Sequence, residues 1–197
     1  MSIQENVAPA NPSERILDAA REVFASEGLD AGLETVARRA GVGVGSIYRR
    51  YGNKNDLIQV LAEERFSGLV TRMSSTLDDP DPWEAFASEF RRSVAEYASD
   101  RGFRELVIGS VTGSLGWARG SEPDKLQAAI LRWSGEIEAV IDQVIGRAHD
   151  AGSLRADAGG SVILLLSMAL QSVAGLGDSA GHDLAITIVL DGLRAQR

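Results

Sequence analysis

Residues 40–54 read AGVGVGSIYRRYGNK. Glycines at 41, 43 and 45 lead directly into Tyr48, Arg49, Arg50 and Tyr51. Glycines followed by basic residues indicate phosphate, held either as a nucleotide in a loop or as the backbone of a nucleic acid. A dinucleotide loop needs a strand before the glycines and a helix after them. The preceding ETVARRA, residues 34–40, instead has a helical apolar pattern with two arginines. The spacing G-x-G-x-G also departs from G-x-G-x-x-G, and no GK[ST] follows. The alternative is a tight turn joining two short helices at a steep angle. That is the helix-turn-helix layout, whose second helix enters the major groove of DNA.

The flanking sequence supplies both helices. Leu33, Val36, Ala37 and Ala40 make the buried face of one over 33–40, with Gly32 at its N-cap and Gly41 at its end. Arg38 and Arg39 are left outside. The next helix runs from Val44 to Tyr51, with Ile47 and Tyr51 turned inward and Ser46, Tyr48 and Arg49 outward. Upstream, Ile16, Ala19, Ala20, Val23 and Phe24 line one face of a first helix. It is expected to start at an N-cap Ser13 and to stop at Gly28. Residues 1–12, with two prolines and little apolar material, read as a disordered arm.

Downstream, Lys54 opens a fourth helix, broken by DDPDP at 78–82. Further helical stretches cover 83–99, 102–115, 123–150, 160–176 and 183–195. No stretch alternates at period two, so the chain is expected to be all-α. Three domain segments follow: the arm 1–12, a helix-turn-helix domain 13–53, and a helical ligand-binding and dimerisation domain 54–197.

The chain has 197 residues, 44% of them hydrophobic, enough for a real core. It has no cysteine, which removes disulfides and thiolate metal sites and fits a reducing compartment. Its first residues lack the basic and apolar regions of a signal peptide. The longest apolar run, 162–170, is far short of the roughly 20 residues of a span. A cytoplasmic protein with no membrane partner is expected. The net charge of -8 argues against nucleic acid, but its distribution does not. Between Val36 and Lys54 the charged residues are Arg38, Arg39, Arg49, Arg50 and Lys54, with no acid. A basic segment inside an acidic chain is the footprint of a nucleic-acid binder.

RILDAAREVFASEG at 15–28 and VARRAGVGVGSIYRRYGNKNDLI at 36–58 together resemble the DNA-binding domain of the TetR (tetracycline repressor) family. The resemblance covers Glu14 to Leu61. The family often has threonine at the cap of the second helix and serine before the recognition helix. Here those positions are Gly32 and Gly43, so two hydroxyl contacts to phosphate are missing. What the resemblance implies agrees with the side-chain chemistry. Tyr48, Arg50 and Lys54 suit phosphate oxygens, and the N–H groups opening the fourth helix add to Lys54. Arg49 suits the O6 and N7 of guanine. Gly43, Val44, Gly45 and Ser46 bring the helix close to DNA, and Arg38 and Arg39 hold the flanking phosphates.

In the family the remaining helices bind a small ligand and form the dimer. The apolar stripes of the later helices are ordinary core in the first instance. A family-type pocket would draw on Phe66, Val70, Phe90, Val94, Tyr97, Phe103, Val107, Trp117, Trp133 and Gln171, implying a mostly apolar effector. The stretch 160–176 is apolar nearly all round and needs a second cover. With 183–195 as companion, it predicts a homodimer interface. His149 and His182 have no partners at ligand spacing, so neither metal nor cofactor is expected. No nucleophile–base arrangement carries an enzyme signature.

Two readings follow. The first is a ligand-responsive regulator, most simply a repressor, that binds a near-palindromic double-stranded operator as a homodimer. A small-molecule effector releases it. The second, resting on the acidic net charge, is a helical small-molecule binder or enzyme that never meets DNA.

Overall fold

The computed structural model describes residues 11–112, 123–172 and 179–196. The described residues form α1 (Pro12–Glu27), α2 (Leu33–Ala40), α3 (Val44–Tyr51), α4 (Lys54–Ser75), α5 (Pro82–Ser99), α6 (Arg101–Thr112), α7 (Pro123–Asp150), α8 (Gly160–Ser172) and α9 (Ser179–Leu193). A single 3-10 turn, Thr76–Asp78, follows α4. Among the described residues there is no strand, and the all-α expectation holds.

The helices gather into two compact units. One holds α1, α2, α3, the first turns of α4, and α6. The other holds the rest of α4, α5, most of α7, α8 and α9.

In the first unit, α1 begins earlier than the sequence suggests. Its N-cap is Asn11, not Ser13. The Asn11 side chain accepts the Ser13 N–H at 3.1 Å, and Glu14 Oε2 accepts the Asn11 N–H at 3.0 Å. Pro12 fills the first helical position, where its missing N–H costs nothing. Asn11 and Pro12 therefore belong to the helix rather than to a disordered arm. Residues 1–10 of that expected arm lie outside the described residues. The apolar face of α1 is buried as read: Ile16, Ala19, Ala20, Val23 and Phe24.

The turn after α2 needs one glycine. Gly41 is left-handed, at φ 66° and ψ 37°, and its N–H closes onto the Ala37 and Arg38 carbonyls. Gly43 is extended, at φ -72° and ψ 141°. A Cβ on Gly43 would meet nothing within 4 Å, and one on Gly45 only Arg49 Nη1 at 3.6 Å. The fold thus asks for Gly41 alone, and the bare backbone at 43 and 45 faces outward.

Helix α6 docks on the end of α1. A Cβ on Gly102 would lie 2.9 Å from the Phe24 carbonyl oxygen and 3.3 Å from Leu29 Cδ2, so only glycine allows this approach. Phe103 and Leu106 are buried, and the Glu105 carboxylate accepts the Leu29 N–H at 2.7 Å.

The second unit has a core of Met73, Trp83, Phe86, Phe90, Val94, Val144, Ile163, Leu170, Ile186 and Leu190, among others. Asp81 caps α5 by accepting the Trp83 and Glu84 N–H groups, with Pro82 again in the first turn. Beside this core, α4 and α5 share an ionic network. Arg72 donates to Glu89 and to Glu96, each at 2.9 Å, and Arg65 reaches Glu96 at 3.2 Å. Burial alone would lower the Arg72 pKa, but the hydrogen bonds and charges of the two glutamates together raise it. Buried Glu89 is thus held as a paired carboxylate rather than an orphan charge.

Helices α8 and α9 leave large apolar side chains in solvent. Leu165 is 68% exposed, Ile188 61%, Leu184 59%, Leu164 45% and Val162 42%. Residues 173–176 of the expected 160–176 helix lie outside the described residues. Among the described residues no helix is long and apolar enough to cross a membrane.

Candidate nucleic-acid interface

Helix α3 is held by buried Ile47 and by Tyr51, whose hydroxyl donates to the Ser13 carbonyl at 3.4 Å. Its opposite side is open: Tyr48 is 49% exposed, and Arg49 and Arg50 are exposed beside it. Arg49 Nη2 donates to the Ser46 hydroxyl at 3.0 Å, one turn earlier. This bond lays the guanidinium back along the outer face toward Gly45. No side chain caps α2 at Gly32 or α3 at Gly43. The first N–H groups of α3 are therefore uncovered at an end where the helix dipole favours an anion.

Arg38 and Arg39 are exposed in the last turn of α2. Arg39 is not free: its Nη1 pairs with Glu22 Oε2 at 2.7 Å, both side chains more than half exposed. A pair that exposed is worth about 0–1 kcal/mol, so phosphate can compete for it. Arg38 reaches only the Thr35 hydroxyl, at 3.5 Å.

Lys54 opens α4 through a reciprocal cap that the sequence reading did not pick out. Asn53 Oδ1 accepts the Asp56 N–H at 3.0 Å, and Asp56 Oδ2 accepts the Asn53 N–H at 3.2 Å. The signal was present as N-x-x-D, with aspartate in the place of the usual glutamate. The cap sets half-buried Lys54 in the first turn of α4. Burial lowers the Lys54 pKa, and the charges of Asp30 and Glu105 pull it partly back. The DNA-directed residues Arg38, Arg39, Gly43, Val44, Gly45, Ser46, Tyr48, Arg49, Arg50 and Lys54 all fall in the α2–α3 pair and the start of α4.

The effector-directed residues divide differently. Phe66, Phe90, Val94, Tyr97, Trp133 and Gln171 are buried in the second unit, where Val70 is half-buried. Phe103 and half-buried Val107 belong to the first unit. Trp117 lies outside the described residues. A cleft of about 290 Å³ between α4 and α7 is lined by Val70 and Trp133, with Glu63, Ser67, Thr71, Arg132 and Glu136. Phe66 stacks on Trp133 at 5.0 Å between ring centroids. Glu63, Ser67, Thr71, Arg132 and Glu136, the polar majority of this lining, are not among the effector-directed residues read from the sequence. Among the described residues no group of three or more His, Asp or Glu side chains is placed to hold a metal ion.

A short helix pair joined at a left-handed glycine, with an open Tyr-Arg-Arg face, is the helix-turn-helix of a DNA-binding regulator. The comparisons give the family. The model for "Bacterial regulatory proteins, tetR family" matches residues 16–61. The HTH-type transcriptional regulator TtgW of Pseudomonas putida, itself uncharacterised, is 37% identical over 96 residues, covering 48% of this chain and 71% of that one. Further curated relatives align over about half of their own length. The solved TetR regulator SCO0520 of Streptomyces coelicolor is 26% identical, with TM-score 0.66, over 95% of this chain and all of that one. FadR of Bacillus subtilis, solved with stearoyl-CoA, shares the fold at 18% identity and TM-score 0.63, over 92% and 99% of the two chains. The chain belongs to the TetR family. Members of this family are transcription regulators, not enzymes, which sets aside the reading without DNA.

Proposed function

We propose that the protein is a ligand-responsive repressor that binds a near-palindromic operator as a homodimer and leaves it when a small effector binds. The exposed apolar face of α8 and α9, at Leu164, Leu165, Leu184 and Ile188, carries this reading. Such a surface is not normally left in water, and a second copy of the same face is its natural cover. Two chains related in this way carry two α3 helices, set to read half-sites about 34–36 Å apart. A dimer seated on its operator blocks whatever overlaps it, so repression is the simplest outcome.

In this reading residues 13–53 are the DNA-binding domain and 54–197 the effector and dimer domain. Arg49 reads a base edge. Tyr48, Arg50, Lys54, Arg38 and Arg39 hold phosphates, and Gly43, Val44, Gly45 and Ser46 allow close approach. The effector places an apolar body against Val70 and Trp133 and a polar group toward Ser67, Thr71 or the cleft's charges. Phe66, Phe90, Val94, Tyr97, Phe103, Val107 and Gln171 shape its surroundings. FadR with its stearoyl-CoA supports the idea that this fold accommodates an effector. Release is a shift between two conformations, limited by the effector's differential affinity for them.

A footprint on DNA flanking the protein's own gene tests this. Two protected half-sites one helical turn apart, lost on adding an effector found by thermal-shift screening, are expected. Protection of a single half-site, or none, would overturn the dimeric operator reading.

A further inference from the structure

The basic face does not end with α2, α3 and α4. Helix α1 adds Arg15, which lies outside the 36–54 segment where the basic residues cluster in the sequence. Its guanidinium Nη1 lies 3.8 Å from the position a Cβ would take on Gly41, the turn residue that joins α2 to α3. The first turn of α1 is also tied to the far end of α3, through the Tyr51 hydroxyl on the Ser13 carbonyl. One exposed arginine of α1 therefore rests against the turn that aims α3.

The acids around it are already engaged. Glu14 caps the helix, Asp18 pairs with Arg21, and Glu22 pairs with Arg39. Among the described residues, no carboxylate is bound to the Arg15 guanidinium. This exposed guanidinium, 3.8 Å from the Cβ position of Gly41, adds a cation at the turn between α2 and α3.

We infer that Arg15 binds a DNA phosphate on the flank of the site read by α3. The contact is sequence-independent, since Arg15 lies at the turn before α3 and not on α3 itself. It extends the phosphate-contacting set to a third helix and widens the footprint on the α1 side.

A competing role is purely structural: a cation against the carbonyl end of α2, where the helix dipole favours it. The two are separable. Binding of a fluorescent random-sequence duplex is measured against salt concentration for wild type, Arg15→Gln, Arg15→Lys and Arg21→Ala, with thermal unfolding of each. Arg15→Gln is expected to weaken binding several-fold and to reduce the salt slope by about one per bound chain. Arg15→Lys is expected to keep the slope, as is Arg21→Ala, whose arginine is tied to Asp18. An Arg15→Gln protein with the wild-type slope, whether or not its melting temperature falls, overturns the proposal. If Arg15→Gln does not fold, Arg15→Lys decides through affinity: a lysine cannot match a guanidinium's bidentate phosphate contact, so weakened affinity with the slope kept, at wild-type stability, supports the contact, and unchanged affinity overturns it.

Discussion

Glu105 Oε2 of α6 accepts the Leu29 N–H at 2.7 Å, across 76 positions of sequence. Leu29 follows the end of α1, where the chain turns toward α2, and is itself buried. This carboxylate completes the hydrogen bonding at the end of α1 from a helix outside the DNA-binding three. Arg101 steadies the other oxygen, with its Nε 3.0 Å from Glu105 Oε1.

Removing that acceptor is expected to destabilise the protein. Glu105→Ala leaves the Leu29 N–H unpaired and costs about 1–3 kcal/mol. Glu105→Gln keeps an oxygen in reach and costs less. Gly102→Ala gives a sharper test, because two effects oppose each other. Alanine gains up to about 1 kcal/mol of helix propensity. Its Cβ at 2.9 Å from the Phe24 carbonyl oxygen, which is rigid backbone, forces α6 away at a cost of about 1–3 kcal/mol. Urea unfolding should show the clash winning. A stabilised Gly102→Ala would mean that α6 does not sit on α1 this closely.

Arg49→Ala is expected to weaken operator binding more than binding to random DNA, by about 1–3 kcal/mol. Its guanidinium is held along the outer face of α3 by the Ser46 hydroxyl, at 3.0 Å. Ser46→Ala should therefore give a smaller loss of the same kind, by freeing the arginine. Equal losses on operator and random duplex would assign Arg49 to phosphate.

Lys54 predicts a pH dependence. Burial favours its neutral form in the folded protein, so its pKa lies below that of an ordinary lysine. As pH rises through that lowered pKa, Lys54 loses its proton in the fold before it would in the unfolded chain. The fold thus gains slightly in stability over this window, while DNA binding loses a cation. The salt slope should flatten by about one per chain at the lower edge of the lysine range. The only other lysine in the chain is Lys125. Measured on a Tyr48→Phe background, to remove the phenol, Lys54→Arg should abolish the flattening. A slope equally pH-dependent in Lys54→Arg would remove Lys54 from the phosphate contacts.

Helices α1 to α3 were legible because each is short, strongly one-sided and closed by glycine. Ile47 inward and Tyr48–Arg49 outward follow from helical spacing alone. The start of α1 was misread because Pro12 in a polar stretch resembles disorder until Asn11 and Glu14 are seen to cap each other. The α6 docking was not legible at all. Gly102 and Glu105 matter only through Phe24 and Leu29, which lie far from them in sequence and leave no periodic trace. Nor does an almost wholly apolar helix such as α8 reveal which leucine faces which way. Leu166 looks as suitable for an interface as Leu165, but it packs against the core of its own unit, while Leu165 is 68% exposed.

That orientation sets the dimer test. A charge at Leu166 would damage the chain's own core, so an unfolded product would say nothing about association. Leu165→Glu adds the charge where the isolated chain meets water and should leave the fold intact. Leu184 and Ile188 on α9, 59% and 61% exposed, offer the same opportunity. In a symmetric interface each introduced carboxylate meets the same apolar surface on the other subunit, and near the axis its own copy. Burying an unpaired charge there costs far more than one apolar contact is worth. Sedimentation of Leu165→Glu should show a monomer with wild-type helicity. That monomer should keep the salt-dependent binding of random DNA by a single α3 face and lose tight operator binding. A wild-type protein that sediments as a monomer at micromolar concentration would remove the interface, and with it the paired half-sites. A Leu165→Glu protein that still sediments as a dimer would move the interface off this face of α8.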